Sequence, residues 1–191
     1  MISGILLAAG AGVRFGGHKL LQRLPDGTSI GVASLRNLHA ALARSLAVVR
    51  VGDVELQRLL SDERVPVIEC ADAGLGMGHS LATAVAHESM ATGWVIALGY
   101  MPRISPNTIA RVARELERGA RIVVPIFAGR RGHPVGFSSV FRDQLMALRG
   151  DAGARGILSA YATSIRELEV EDPGIVQDVD TPEDVQRLTE S

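Results

Sequence analysis

The chain has 191 residues, 47% of them apolar and 21% charged, with a formal net charge of −1. That length allows one compact unit with a sizeable core, and that balance excludes disorder and any long-range attraction to nucleic acid or a membrane surface. Cys70 is the only cysteine, which excludes an internal disulfide framework and a zinc site built on paired thiolates and makes a cytoplasmic location the default expectation.

The N-terminal stretch M-I-S-G-I-L-L-A-A-G lacks a basic leader and breaks after a short apolar run, so it reads as a first strand, Ile5 to Ala8, rather than a signal peptide or span. Further β-rich runs follow at Leu46 to Val51, Val65 to Glu69, Trp94 to Leu98 and Arg121 to Phe127. Amphipathic segments at about 30–44, 53–61, 77–90 and 105–118 lie between them, the last opening on Ser105-Pro106 and stopping at Gly119. This β-α-β-α rhythm predicts an α/β fold: a mostly parallel sheet with helices on both faces.

After Phe127 the rhythm breaks. Residues 128–134, A-G-R-R-G-H-P, read as a Gly and Arg turn; a strand is expected over Val135 to Val140 and a helix to about Leu148. Another helix is expected over Ala154 to Tyr161, a strand over Ser164 to Val170, and a terminal helix after D-V-D-T-P-E-D. No linker separates the halves, so the chain is expected to be one domain, 1–191. Residues 1–127 carry the regular rhythm, and 128–191 read as an insertion carrying a substrate surface rather than as a second independent domain.

Chemistry concentrates at the glycine-rich end of the first strand, L-A-A-G-A-G-V-R-F-G-G-H-K, residues 7–19. Successive amides in such a loop form a concavity suited to phosphate, and Arg14 and Lys19 supply mobile cations. A dinucleotide-binding G-x-G-x-x-G fails at Phe15, and no strand-end acid stands about 20 residues on. The ATPase phosphate loop fails because Leu20, not Ser or Thr, follows Lys19. A second candidate is Tyr100 in A-L-G-Y-M-P, delivered to the sheet edge by the Gly99 turn after an apolar strand.

Residues 7–19 resemble the signature Leu-Ala-Ala/Gly-Gly-x-Ser-x-Arg-Met-Gly-x-x-Lys of the nucleotidyltransferases that modify the molybdenum cofactor, with Gly12 in the Ser position and Phe15 in the Met position. G-L-G-M-G-H-S-L (74–81), G-R-R-G-H-P-V (129–135), G-D-A-G-A-R (150–155) and D-V-D-T-P-E-D (178–184) extend the similarity in the right order. It is closest to the molybdenum cofactor cytidylyltransferase branch. The resemblance implies a three-layer α/β/α Rossmann-like nucleotidyltransferase fold and transfer of CMP from CTP to molybdopterin with release of pyrophosphate, magnesium assisting and a molybdoenzyme receiving the product.

The resemblance also distributes roles. Leu7, Ala8, Ala9, Gly10, Ala11, Gly12, Ser80 and Gly99 would bind the nucleotide, with Arg14 clamping the leaving phosphates and Lys19 reaching the α-phosphate. Gly132, His133 and Pro134 would meet the acceptor, and Asp180 would hold the metal. Alternatives stay open at two of these and at His79: His133 either faces the acceptor or locks its turn, Ser80 either meets base or ribose or satisfies amides at a helix start, and His79 either borders the base or is a surface residue. Thr181, Pro182 and Asp184 form a helix-start pattern that needs no catalytic role. Where the family carries Asp, this chain has Tyr100, a phenol with a reference pKa of about 10 and a poor magnesium ligand. Three functions therefore compete: a cytidylyltransferase with a weakened metal site, a nucleotide- or cofactor-binding carrier without turnover, and an oxidoreductase with Tyr100 stacked on a flavin or nicotinamide.

Overall fold

The computed structural model describes residues 1–10 and 18–187. Its centre is an eight-stranded mixed sheet in which residues 67–70, 45–50, 2–7, 93–98, 135–138, 122–127 and 130–131 lie side by side in that order, with 165–169 pairing 122–127. β1 (Ile2–Leu7), β2 (Ser45–Arg50), β3 (Val67–Cys70) and β4 (Gly93–Leu98) run parallel to one another, joined by α1 (Ile30–Ala41), α2 (Val54–Ser61) and α3 (Met77–His87). β1 and β4 are buried along their whole length, as continuous apolar runs covered on both faces should be.

α4 (Pro106–Glu117) leads to β5 (Ile122–Phe127). It begins as its sequence predicts: Ser105 Oγ accepts from Asn107 N at 3.2 Å with Pro106 in the first turn, and Gly119 (φ 97°) follows its end. The expected Gly and Arg turn is instead a tight hairpin. β6 (Arg130–Arg131) folds back on β5 through Ala128 (φ 48°) and Gly129 (φ 73°), both in the left-handed region that a two-residue hairpin loop demands.

The chain then enters the middle of the sheet. β7 (Val135–Ser138) runs antiparallel between β4 and β5, and β8 (Ile165–Glu169) lies parallel to β5. β7 stops short of the expected Val140 because Ser139–Phe141 turn into a 3₁₀ helix. The buried Phe137 and Phe141 meet edge-on at 5.9 Å between ring centres, and Phe141 meets Tyr161 at 4.9 Å. These contacts seat α5 (Arg142–Met146) and α6 (Arg155–Ala160) beside the sheet, and α7 (Pro182–Arg187) closes the described chain. Strands from 128 onward thus belong to the same sheet as those before it. No described helix is long and apolar enough to cross a membrane.

Candidate active site

The parallel strands β1, β2 and β4 all end at one edge of the sheet, where ligands bind in open α/β folds. A cavity of about 290 Å³ opens there, walled by Leu7 at the end of β1 with Ala9 and Gly10 beyond it, Arg50 at the end of β2, Ser80 on α3, Lys19 and Tyr100. Ala8 and Gly99 back this wall rather than line it. Ala8 N donates to Val48 O at 2.9 Å, and Gly99 N donates to Leu7 O at 2.9 Å while Ser34 Oγ donates to Gly99 O. A Cβ at 99 would stand 3.2 Å from both Leu20 Cδ1 and Leu7 O, so the glycine lets β4 turn close against β1 and presents Tyr100 to the cavity. Ala11, Gly12 and Arg14 lie outside the described residues.

The glycines of 74–81 and 150–155 pack against each other. Gly78 N donates to Gly150 O at 2.8 Å, and a Cβ at 78 would come within 2.9 Å of the Arg149 and Gly150 backbone. Gly76 sits at φ 123° with its missing Cβ aimed at the Gly150 carbonyl. This backbone-to-backbone contact brings Asp151 to the wall beside Met77 and Ser80. Gly76, not Ser80, occupies the helix-start position of α3, so the buried Ser80 side chain is left to the cavity. His79 is partly exposed on α3 and lines neither this cavity nor the next.

Lys19 is delivered by a 3₁₀ turn, Lys19–Leu21, that His18 enters at φ 50° and the buried Leu20 anchors. Its Nζ lies 2.8 Å from Asp180 Oδ1 and 4.0 Å from the centre of the Tyr100 ring. The ammonium thus meets a carboxylate and an aromatic face together, both favourable to a cation. Two contacts hold Asp180 in place. Val179 N donates to Tyr100 O at 3.0 Å, and Asp184 Oδ2 accepts from Asp180 N and Thr181 N while Thr181 Oγ1 accepts from Asp184 N. That reciprocal cap is the role expected for Thr181 and Asp184. Beside it, loss of water and the charge of Asp180 raise the pKa of the Asp178 carboxyl, against the opposing pull of Lys19 and Arg130.

A second cavity of about 270 Å³ shares Leu7, Met77, Leu98, Tyr100 and Asp151 with the first and continues to Gly132, His133 and Arg155. Tyr100 therefore belongs to the common wall. Of the two readings of the G-H-P turn, the locking role is visible in the backbone. Its backbone is locked, with Gly132 N donating to Pro125 O, His133 N to Ile175 O, and the Ile175 carbonyl filling the space of a Cβ at 132. The His133–Pro134 bond is cis, and Pro134 is buried beneath the turn. The His133 imidazole lines the cavity, where burial lowers its pKa to about 4, and its Nδ1 is buried without a partner. At neutral pH it offers a hydrogen bond and no charge.

Sequence reading missed Arg50, Asp151 and Arg155 on these walls. Arg50 carried a signal, since it is the one charged residue ending the apolar run L-A-V-V-R. As to a metal, no group of three or more His, Cys, Asp or Glu side chains is gathered among the described residues. Two neighbouring carboxylates, Asp178 and Asp180, are still brought together, and magnesium commonly takes one or two carboxylates and fills its sphere with phosphate and water. Asp180 fits such an ion, whereas Tyr100 does not.

Comparison with known proteins places this geometry among nucleotide-transferring enzymes. Residues 4–165 match the model of the MobA-like NTP transferase domain. Purine catabolism protein PucB of Bacillus subtilis is 36% identical over 95% of this chain and 92% of its own length; nicotine blue oxidoreductase of Paenarthrobacter nicotinovorans is 28% identical over 98% and 96%. The crystal structure of Rv0371c from Mycobacterium tuberculosis superposes with a TM-score of 0.84 at 30% identity, covering 100% of this chain and 97% of that one. A manganese complex of Rv0371c superposes at 0.80 with 29% identity over 100% and 98%. With most of its length inside the matched region and a cavity edged by the motif lysine, the chain belongs to the MobA-like NTP transferase family.

Proposed function

We propose that the protein transfers CMP from CTP to molybdopterin, with residues 1–127 receiving the nucleotide and 128–191 supplying the acceptor surface and Asp180. The observation that carries this reading is the Lys19–Tyr100–Asp180 contact on the wall where two cavities meet, one beside the strand-end loop and one beside His133. A donor in the first cavity and an acceptor in the second would face each other across Tyr100.

A phosphate oxygen of the acceptor attacks the α-phosphorus of CTP. A new P–O bond forms, the bond to the β-phosphate oxygen breaks, and pyrophosphate leaves with the electron pair. The attacking phosphate is already ionised near neutral pH, so no general base is needed, and catalysis reduces to positioning and charge neutralisation. Backbone amides of residues 9–12 receive the triphosphate, Arg14 clamps its leaving portion, and Lys19 turns from Asp180 toward the α-phosphate as charge builds there. Ser80 and Gly10 border the nucleoside. The neutral His133 gives the acceptor a hydrogen bond, and the cationic partner for an acceptor phosphate is Arg155. Magnesium, held by Asp180 and the phosphates, would neutralise the triphosphate.

Pyrophosphate release from CTP and molybdopterin tests this directly. Because Tyr100 stands where a second carboxylate would assist the metal, Tyr100→Asp should release pyrophosphate faster and at lower magnesium than the wild type; equal rates would refute the missing-ligand argument. A second reading, binding of nucleotide or cofactor without turnover, is favoured by that same Tyr100 and by the Lys19–Asp180 pair, which occupies the remaining carboxylate. Ligand-dependent stabilisation without pyrophosphate release would support it. The relative named for oxidoreductase activity keeps a third reading in view, which a flavin spectrum or a nicotinamide-dependent absorbance change would favour.

A further inference from the structure

Several surface arginines of this protein are satisfied by carboxylates, and Arg142, whose Nε is buried without a partner, still donates through Nη2 to the Ala91 carbonyl. Arg36 pairs with Glu63, Arg44 with Glu88, Arg118 with Glu115 and Arg131 with Glu167, at 2.6–2.8 Å. Arg50 is the contrast. Its Nε is buried with no hydrogen-bond partner, and its guanidinium makes no ion pair among the described residues, although it lines the first cavity and the adjoining cleft below Gly52 and Asp53. With Nε buried and no carboxylate taking the terminal N–H groups, the half-buried guanidinium keeps those donors for an acceptor in the cavity it lines.

Position says which part of the ligand that acceptor belongs to. Arg50 ends β2, whereas Tyr100 follows the end of β4, and β1 lies between those strands. Two strand spacings separate them by about 10 Å, roughly the reach of a nucleoside from its α-phosphate. With the phosphates beside Lys19 and Tyr100, Arg50 lines the same cavity from the β2 side, where the base would lie.

We propose that Arg50 selects the nucleobase by donating its planar fork to two adjacent acceptor atoms. This rests on the nucleotidyltransferase reading given above and specifies the substrate of that site. The guanidinium presents parallel N–H donors with no acceptor of its own. Cytosine offers such an edge in N3 and O2, and guanine in N7 and O6. Adenine sets its amino donor beside N1 and N7 and leaves N3 without a neighbouring acceptor, and uracil sets its N3–H between two carbonyls. The selection is therefore for cytosine or guanine against adenine and uracil.

The test is calorimetric binding of CTP, GTP, UTP and ATP to wild-type protein, Arg50→Met and Arg50→Lys, with melting temperatures recorded for each. A bidentate arginine–base pair supplies about 1–3 kcal/mol of discrimination, so wild type should prefer CTP or GTP over UTP and ATP by about tenfold or more, and Arg50→Met should erase that preference while changing UTP and ATP affinity by less than about threefold. Comparing CTP with GTP shows which of the two edges is read. Arg50→Lys keeps the charge and loses the fork, so it should lose selectivity too; it carries the test if Arg50→Met fails to fold. Equal weakening for all four nucleotides would make Arg50 a phosphate ligand and overturn the proposal, as would unchanged selectivity. Failure of every triphosphate to bind wild type would instead refute the nucleotidyltransferase reading on which it rests.

Discussion

Tyr100 does two things at once. On the proposed reading it takes a position where a carboxylate would assist a metal, and it gives Lys19 an aromatic face at 4.0 Å, so that the ammonium is held between ring and Asp180. The presence of Lys19 and Asp180 and the oddity of Tyr100 were legible as motif residues, but their mutual contact was not, because 161 positions separate the lysine from its carboxylate. Lys19→Met should lower pyrophosphate release by about 100-fold or more, as loss of a charge-stabilising donor does, while leaving the melting temperature nearly unchanged because Asp180 is partly exposed. His133 supplies a prediction of the opposite kind, in stability. Its folded pKa of about 4 lies below the 6.5 of the free side chain, so between those values the unfolded chain binds more protons. Its contribution is complete above pH 6.5 and is lost as pH falls toward 4, by about 3 kcal/mol in all. Denaturant titrations should show His133→Gln flattening that part of the pH profile; an unaltered profile would mean that the imidazole titrates normally.

Among the elements, helices and parallel strands followed from local pattern, and the exceptions have specific causes. α4 starts at the expected residue because Ser105, Pro106 and the following turn are one local cap. β6 was hidden because Ala128, not Asn, Asp or Gly, takes the first left-handed position of its hairpin. Asp172 gave no sequence signal, yet its carboxylate accepts from Ser105 N, Thr108 Oγ1 and Gly174 N, joining the start of α4 to the segment before the C-terminal carboxylates. The glycine motifs show the limit of sequence most clearly. Their need for glycine is readable, but the reason at 76 and 78 is the Gly150 backbone and at 132 the Ile175 carbonyl. Gly78→Ala should therefore destabilise the protein by about 1–3 kcal/mol, and should weaken nucleotide binding as Ser80 and Asp151 shift apart. Thermal melts with and without CTP would separate the two effects; an unchanged melt would show that the contact relaxes freely.

At the scale of the whole molecule, the alternation of strands and helices announces the α/β class, and the entry of β7 between β4 and β5 is what the alternation could not announce, since pairing between distant strands leaves no local trace. That entry places the G-H-P turn beside the strand-end loop and makes Tyr100 common to both cavities. Two cavities with one shared wall suit transfer of a group between two ligands better than storage of either. The decisive measurement is pyrophosphate release from CTP, with and without molybdopterin, by the wild type, Tyr100→Asp and Lys19→Met. Release that requires molybdopterin, rises in Tyr100→Asp and collapses in Lys19→Met is the expected result; tight binding of both ligands with no pyrophosphate from the wild type or Tyr100→Asp would contradict it.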